Sequence, residues 1–227
     1  MNNQDSWNQE YQSPQLITKH YQPQKDFLRF IAWIKKNKHI DLYSDITVLD
    51  LGCGTGRNSF YMADHYDAVC HAWDFSEAAI ETAKSVHSHL NISFKVRNIA
   101  QVFPLEDNSV DIILDVTASN ALSEQERTVY LSECRRVLKP GGYMYVRTLA
   151  KEGDKNAQNL IKQFPGKDHD TYDHPQLKVT ERVFTGPDFK ELYNQYLEVV
   201  RMERKTGYQK WDNQSYKRNY WNVYIKS

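Results

Sequence analysis

The stretch Val48 to Asn58, VLDLGCGTGRN, constrains this chain more than any other. An apolar run, Val48-Leu49-Asp50-Leu51, ends in Gly52-Cys53-Gly54-Thr55-Gly56, and a helical pattern starts near Asn58. Strand, tight turn and helix entry in that order let a ligand approach the backbone, because glycine has no Cβ and free N–H groups at a helix start attract negative charge. Two large cofactor classes use that device. The dinucleotide fingerprint G-x-G-x-x-G is met only in part, since Arg57 stands at its third glycine position.

The rest of the chain repeats the same kind of unit. ITVLDL is followed by NSFYMADHY, AVCHAWD by EAAIETAKSVHSHL, and VDIILDV by SEQERTVYLSECRRVL, with ISFKVRN and GGYMYVRTL as further short apolar runs. Alternation at this spacing predicts an α/β fold, a mostly parallel sheet with helices on both faces. Ahead of it, Phe27, Phe30, Ile31 and Ile34 make one helical stripe that should pack on that sheet. The last third departs from the alternation. A polar insert covers about residues 150–184, a helix is expected from about Pro187 to Tyr196, and EVVRMERKTGY and RNYWNVYIKS alternate like two strands of a long hairpin.

The 227 residues suit one domain, here 24–227, preceded by an N-terminal arm or lid over 1–23. Lys+Arg and Asp+Glu balance at 29 each, so net charge proposes no polyanionic partner. No apolar run approaches the roughly 18 residues of a membrane span, and MNNQDSWNQEYQ is too polar for a secretory leader, so a cytoplasmic protein is expected. Cys53, Cys70 and Cys134 lack CxxC spacing, so reduced, buried thiols and no metal are expected.

LDLGCGTG, a G-x-G-x-G turn preceded by Asp50, resembles the first motif of the class I S-adenosylmethionine-dependent methyltransferases. DFSEAAIETAK, VRNIAQVFPLEDNSVD and ECRRVLKPGGYMYV are similar to that family's later motifs, and the resemblance covers roughly residues 25–150. It implies a Rossmann-like three-layer sandwich whose seven-stranded, mostly parallel sheet ends in an antiparallel strand. It also implies S-adenosylmethionine as cofactor, S-adenosylhomocysteine as product, and a cofactor set of Asp50, Gly52, Gly54, Gly56, Asp74, Phe75, Asn98, Ile99 and Asp115. Asp74 would take both ribose hydroxyls, since a carboxylate has two acceptor oxygens. Phe75 would lie against adenine, Asn98 and Ile99 at the adenine edge, and Asp115 near the methionine moiety. Two other readings stand beside these: Asp74 as a helix cap partnered with Ser76, and Phe75 as core.

The family's N/D-P-P-Y/F run and Pro-Cys nucleophile are missing, which leaves an O, N or S atom of a small molecule as the default acceptor. Trp7 and Tyr11, spaced i, i+4, fall on one helical face that would either close the pocket or anchor the arm. His169 and His174 in KDHDTYDHP are further substrate candidates, with a solvated loop as the plainer reading. The basic, aromatic C-terminus raises an RNA or nucleoside acceptor as an alternative, but its alternation suits two sheet strands better and makes nucleic acid an unfavoured partner. A cofactor-binding regulator without catalysis is a third reading. A monomer or homodimer is expected.

Overall fold

Apolar runs too short for helices become the central sheet. The computed structural model describes residues 3–13, 21–211 and 214–227. An N-terminal helix, α1 (Asn3–Gln12), precedes α2 (Lys25–Asn37). There follow β1 (Thr47–Leu51), α3 (Arg57–Tyr66), β2 (Val69–Asp74), α4 (Glu77–Val86), β3 (Ile92–Val96), β4 (Val110–Val116), α5 (Glu124–Val137) and β5 (Leu138–Leu149). The insert then holds α6 (Lys155–Gln163) and two short strands, β6 (Thr171–Asp173) and β7 (Thr180–Arg182). The chain closes with α7 (Gly186–Tyr193), β8 (Glu198–Trp211) and β9 (Gln214–Lys226).

The seven-stranded sheet runs β3-β2-β1-β4-β5-β9-β8. Strands β1 to β5 pair in parallel, and the last strand in sequence, β9, is antiparallel to both of its neighbours. This is the Rossmann-like three-layer arrangement that the sequence resemblance implied. Alternate residues of the strands feed two cores. Val48, Ile112, Leu114, Tyr143 and Tyr145 meet α2 and α3 through Phe27, Phe30, Ile34 and Met62. Leu49, Ile113, Met144, Val146 and Val223 meet α5 and α7 through Tyr130, Leu131, Phe189 and Tyr193. All three cysteines are free and buried.

Local chemistry sets the helix ends. Gln24 caps α2, its side chain accepting from Phe27 N at 2.7 Å, and Ser123 with Glu126 closes a reciprocal capping box on α5. The expected helix from Pro187 stops at Tyr193, three residues short of the predicted end, where the bonds tighten to Gln195 N→Leu192 O and Tyr196 N→Tyr193 O.

Two features shape the C-terminal edge of the sheet. The insert leaves after Leu149 and returns at Phe184, where Lys151 N donates to Phe184 O and Phe184 N to Leu149 O. The β8–β9 hairpin pairs with β5 only as far as Leu149↔Tyr220, yet continues as a two-stranded arm to Trp211↔Gln214. Among the described residues no helix is long and apolar enough to cross a membrane.

Candidate functional site

The glycine turn joins β1 to α3 with φ of +69° at Gly52, +54° at Gly54 and +75° at Gly56. A side chain at these positions would be strained and would also collide. A Cβ on Gly52 would stand 2.3 Å from Ala118 Cβ, and one on Gly54 would stand 2.6 Å from the Tyr11 hydroxyl. The turn is thus clamped between the loop after β4 and the N-terminal helix.

Asp74, the last residue of β2, faces the turn. Its Oδ2 accepts from Gly54 N at 3.0 Å and its Oδ1 from Ser76 N at 2.9 Å. The helix cap of α4 is Ser76, whose Oγ accepts from Ala79 N, so Asp74 is a buried carboxylate beside the cap and not a solvated cap itself. Burial pushes its carboxyl up to about 6, against the opposing pull of the backbone donors. Asp50 lies behind the turn, accepts from Ser59 Oγ at 2.6 Å, and is likewise raised to about 6 by burial.

The other expected positions gather around this centre unevenly. Phe75 is half-buried, and its carbonyl accepts from Gln4 Nε2 of α1 at 2.7 Å. The end of β3 is joined to β2 by Arg97 N donating to Asp74 O. Beyond it Ile99 is buried, while Asn98 is exposed with its Oδ1 bonded to Ala100 N. Asp115 is fully buried. Ala118 N, Ser119 N and the Tyr130 hydroxyl donate to it at 3.0, 3.2 and 2.6 Å, so its oxygens hold the turn after β4 together.

Helix α1 lies across the start of α4, where Asn8 Oδ1 accepts from Ser76 Oγ at 2.7 Å and Ala78 N at 3.3 Å. Trp7 and Tyr11 are both half-buried, with the Tyr11 hydroxyl at the enclosed end. Burial and the neighbouring Asp74 raise the Tyr11 phenol well above its ordinary range.

The histidine candidates sit elsewhere, on the β6–β7 ribbon of the insert. His169 is exposed beside Asp170, as a solvated loop would have it. His174 is buried, its Nδ1 accepting from Leu177 N at 3.2 Å, and Tyr172 beside it is fully buried, which corrects that reading for this part of the segment. Ligand atoms of His169, Asp170 and Asp188 come within 4.8 Å of one another. Lys151 Nζ stands 2.6 and 2.8 Å from the two oxygens of Asp170, so that carboxylate already has a counter-ion. The ribbon also packs against the Ser119–Ala121 turn through β7.

Sequence reasoning gave no role to Arg57, Arg147, Asn120 or Asn222. Arg57 opens α3, and its guanidinium is disfavoured by burial and by the nearby charge of Arg147. Asn120 Oδ1 accepts from Thr148 Oγ1, leaving its buried Nδ2 without an acceptor among the described residues. The C-terminal cations follow the strand reading favoured above. Arg218 is buried, its Nε 3.2 Å from Asp154 Oδ2 and its Nη2 donating to the Tyr172 hydroxyl, so it is no phosphate grip on the surface.

Comparison with known proteins converges on one family. A family model described as a methyltransferase domain matches residues 48–142. O-methyltransferase 3 of Dictyostelium discoideum is 26% identical over 184 residues, covering 72% of this chain and 41% of that protein. Phthiotriol/phenolphthiotriol dimycocerosates methyltransferase 1 of Mycobacterium ulcerans is 35% identical over 107 residues, covering 47% of this chain and 38% of that protein. The chain thus spans about two fifths of the length of these curated relatives. Among solved structures, a methyltransferase from Methanosarcina mazei superposes with a TM-score of 0.68 at 20% identity, covering 85% of this chain and 96% of the other. One from Anabaena variabilis gives 0.68 at 16% identity, covering 100% and 95%.

Proposed function

We propose that this chain, which belongs to the class I S-adenosylmethionine-dependent methyltransferases, transfers the cofactor's methyl group to an O, N or S atom of a small-molecule acceptor. The observation that carries the proposal is the buried Asp74 carboxylate at the end of β2, tied to the glycine turn by Gly54 N. Relatives named as an O-methyltransferase and as a phthiotriol methyltransferase support oxygen among the acceptor atoms.

The residues present fit the cofactor. After two N–H bonds Asp74 keeps lone pairs for a vicinal diol. Phe75 and Ile99 offer apolar flanks for a purine, and Gly54 clears space that any Cβ would fill. The orphaned Nδ2 of Asn120, in the turn after β4, is a donor that a bound oxygen would satisfy.

When bound, the sulfonium supplies a methyl group already activated for displacement. What remains for the protein is placement and dryness, which set most of the rate in such a transfer. Asp74 would fix the ribose. Asp115 keeps the turn after β4 rigid under the reacting end through its bonds to Ala118 N and Ser119 N. Helix α1, with Trp7 and Tyr11, would cover the cofactor, while the insert over 150–184 would roof the acceptor side, where β7 meets the Ser119–Ala121 turn. An acceptor arriving with a free lone pair needs no base from the chain.

Calorimetry tests this reading. S-adenosylhomocysteine should bind and NAD should give no heat above background. A hundredfold excess of S-adenosylhomocysteine over its Kd should stabilise the fold by about 2.7 kcal/mol, seen as a raised Tm. Saturable NAD binding would overturn the assignment.

A further inference from the structure

On the sheet face covered by α2 and α3, near the C-terminal edge, two hydrogen-bond donors stand without acceptors. Arg147 on β5 and Asn222 on β9 are direct partners in the antiparallel register, so their side chains sit side by side on one face. Arg147 Nε and Asn222 Nδ2 are both buried and, among the described residues, have no hydrogen-bond partner. Asn222 is only 4% exposed, and its Oδ1 is already taken by the Tyr145 hydroxyl at 2.6 Å. Native interiors rarely leave such donors unmet, and an unmet pair on adjacent strands marks a place for acceptor atoms.

The surroundings say which kind of acceptor. The Arg147 guanidinium stacks on Tyr220, 3.5 Å from the ring centroid. Its nearest carboxylate, Asp26, is 3.9 Å from Nε, too far for a hydrogen bond, and Asp26 is shared with Arg29. Arg57 adds another guanidinium to the same region, offset in part by Asp50. Arg147 thus has no carboxylate within hydrogen-bond distance, and an acceptor bearing negative charge is favoured beside its half-buried guanidinium. Arg147 is also close to the expected reacting end, since its carbonyl accepts from Thr117 N at 2.8 Å, where β4 gives way to its turn.

We infer that Arg147 and Asn222 receive an anionic group of the methyl acceptor, which makes the substrate a small molecule bearing a carboxylate or phosphate in addition to the atom that is methylated. The inference rests on the methyltransferase reading. The same chemistry has a second source, the carboxylate of the cofactor's own amino-acid end, and the experiment separates the two.

Protein saturated with S-adenosylhomocysteine is titrated at low ionic strength with benzoate and with inorganic phosphate, followed by calorimetry. One of the two probes should bind saturably to the loaded protein. Arg147→Gln should weaken that probe at least tenfold while changing S-adenosylhomocysteine affinity less than twofold. Arg147→Lys, which keeps the charge and the aliphatic stem but loses the planar fork that stacks on Tyr220, should fold normally and weaken the probe at least threefold. Neither probe binding the loaded protein overturns the inference. So does an anion that binds only the free protein and is displaced by S-adenosylhomocysteine, because the donors then serve the cofactor, and so does unchanged anion affinity in both variants. Failure to bind S-adenosylhomocysteine at all would strike the methyltransferase reading instead.

Discussion

Gly54 N donates to Asp74 Oδ2 across 3.0 Å, which ties the turn after β1 to the end of β2 and fixes the orientation of a buried carboxylate. Asp74→Asn keeps an acceptor oxygen and loses the charge. Cofactor affinity should fall at least tenfold, about 1.4 kcal/mol, since hydrogen bonds to a charged acceptor are the stronger kind. The wild-type carboxyl lies at about 6, so S-adenosylhomocysteine affinity should rise between pH 5 and pH 7 as the group ionises. Calorimetry across that range should show the rise in the wild type and a shallower one in the variant, where Asp50 alone still ionises. Equal affinities would return Asp74 to a purely structural part.

Gly54 and Tyr11 should be energetically coupled. Gly54→Ala forces a side chain into φ of +54°, at about 1–2 kcal/mol, and drives its Cβ to 2.6 Å from the Tyr11 hydroxyl. Tyr11→Phe removes the oxygen that the Cβ would meet, so Gly54→Ala should cost less in that background. A double-mutant cycle by urea unfolding should give a coupling of at least about 0.5 kcal/mol. Strict additivity would mean that α1 does not rest on the turn in solution.

Asp50 sets a pH dependence of stability. Its folded value of about 6 exceeds the roughly 3.9 of an unfolded chain, so the folded state holds the proton more tightly. That contribution is complete below about pH 4 and is lost as pH rises through 6. Asp50→Asn keeps an oxygen for Ser59 and cannot ionise. The variant should match the parent near pH 4 and exceed it by about 3 kcal/mol at pH 8. Unfolding curves at both pH values check this, and a gap that does not change with pH would contradict it.

Arg218 and Asp154 form an ion pair with side chains 2% and 0% exposed. Arg218→Met leaves Asp154 buried without its cation and should cost about 3–5 kcal/mol. Asp154→Asn combined with Arg218→Met should recover part of that loss, measured by thermal unfolding. Full stability in the single variant would show that the pair is open to water.

The sheet, the glycine turn and the acid that faces it were readable because each depends on local devices. A strand ending in Gly52, Gly54 and Gly56, or an acid at the end of the next strand, announces itself within a few residues. The Arg147–Asn222 pair is set by register. Arg147 and Asn222 meet only because β9 returns antiparallel to β5, and nothing near either residue signals that pairing. Tyr172 reads as part of a polar loop until Arg218, 46 residues on, covers it. Helix α7 ended early for a similar reason, since the turn at Tyr193 is a matter of backbone bonds that the apolar spacing does not encode.

The meeting of Ala150 with Phe184 gives the insert the character of an exchangeable cassette. Its two ends already touch, so a longer or shorter replacement changes the closure entropy by only about 0.6 kcal/mol per doubling of length, and the seven strands need not move. The sheet can take one such segment in place of another without rearranging its strands. The exchange meets a lock in the interior: Arg218 belongs to β9, its partner Asp154 belongs to the cassette, and a replacement without an acid at that point would strand a buried cation. Wholesale replacement of this segment is thus coupled to a position 64 residues from Asp154, and the two must change together.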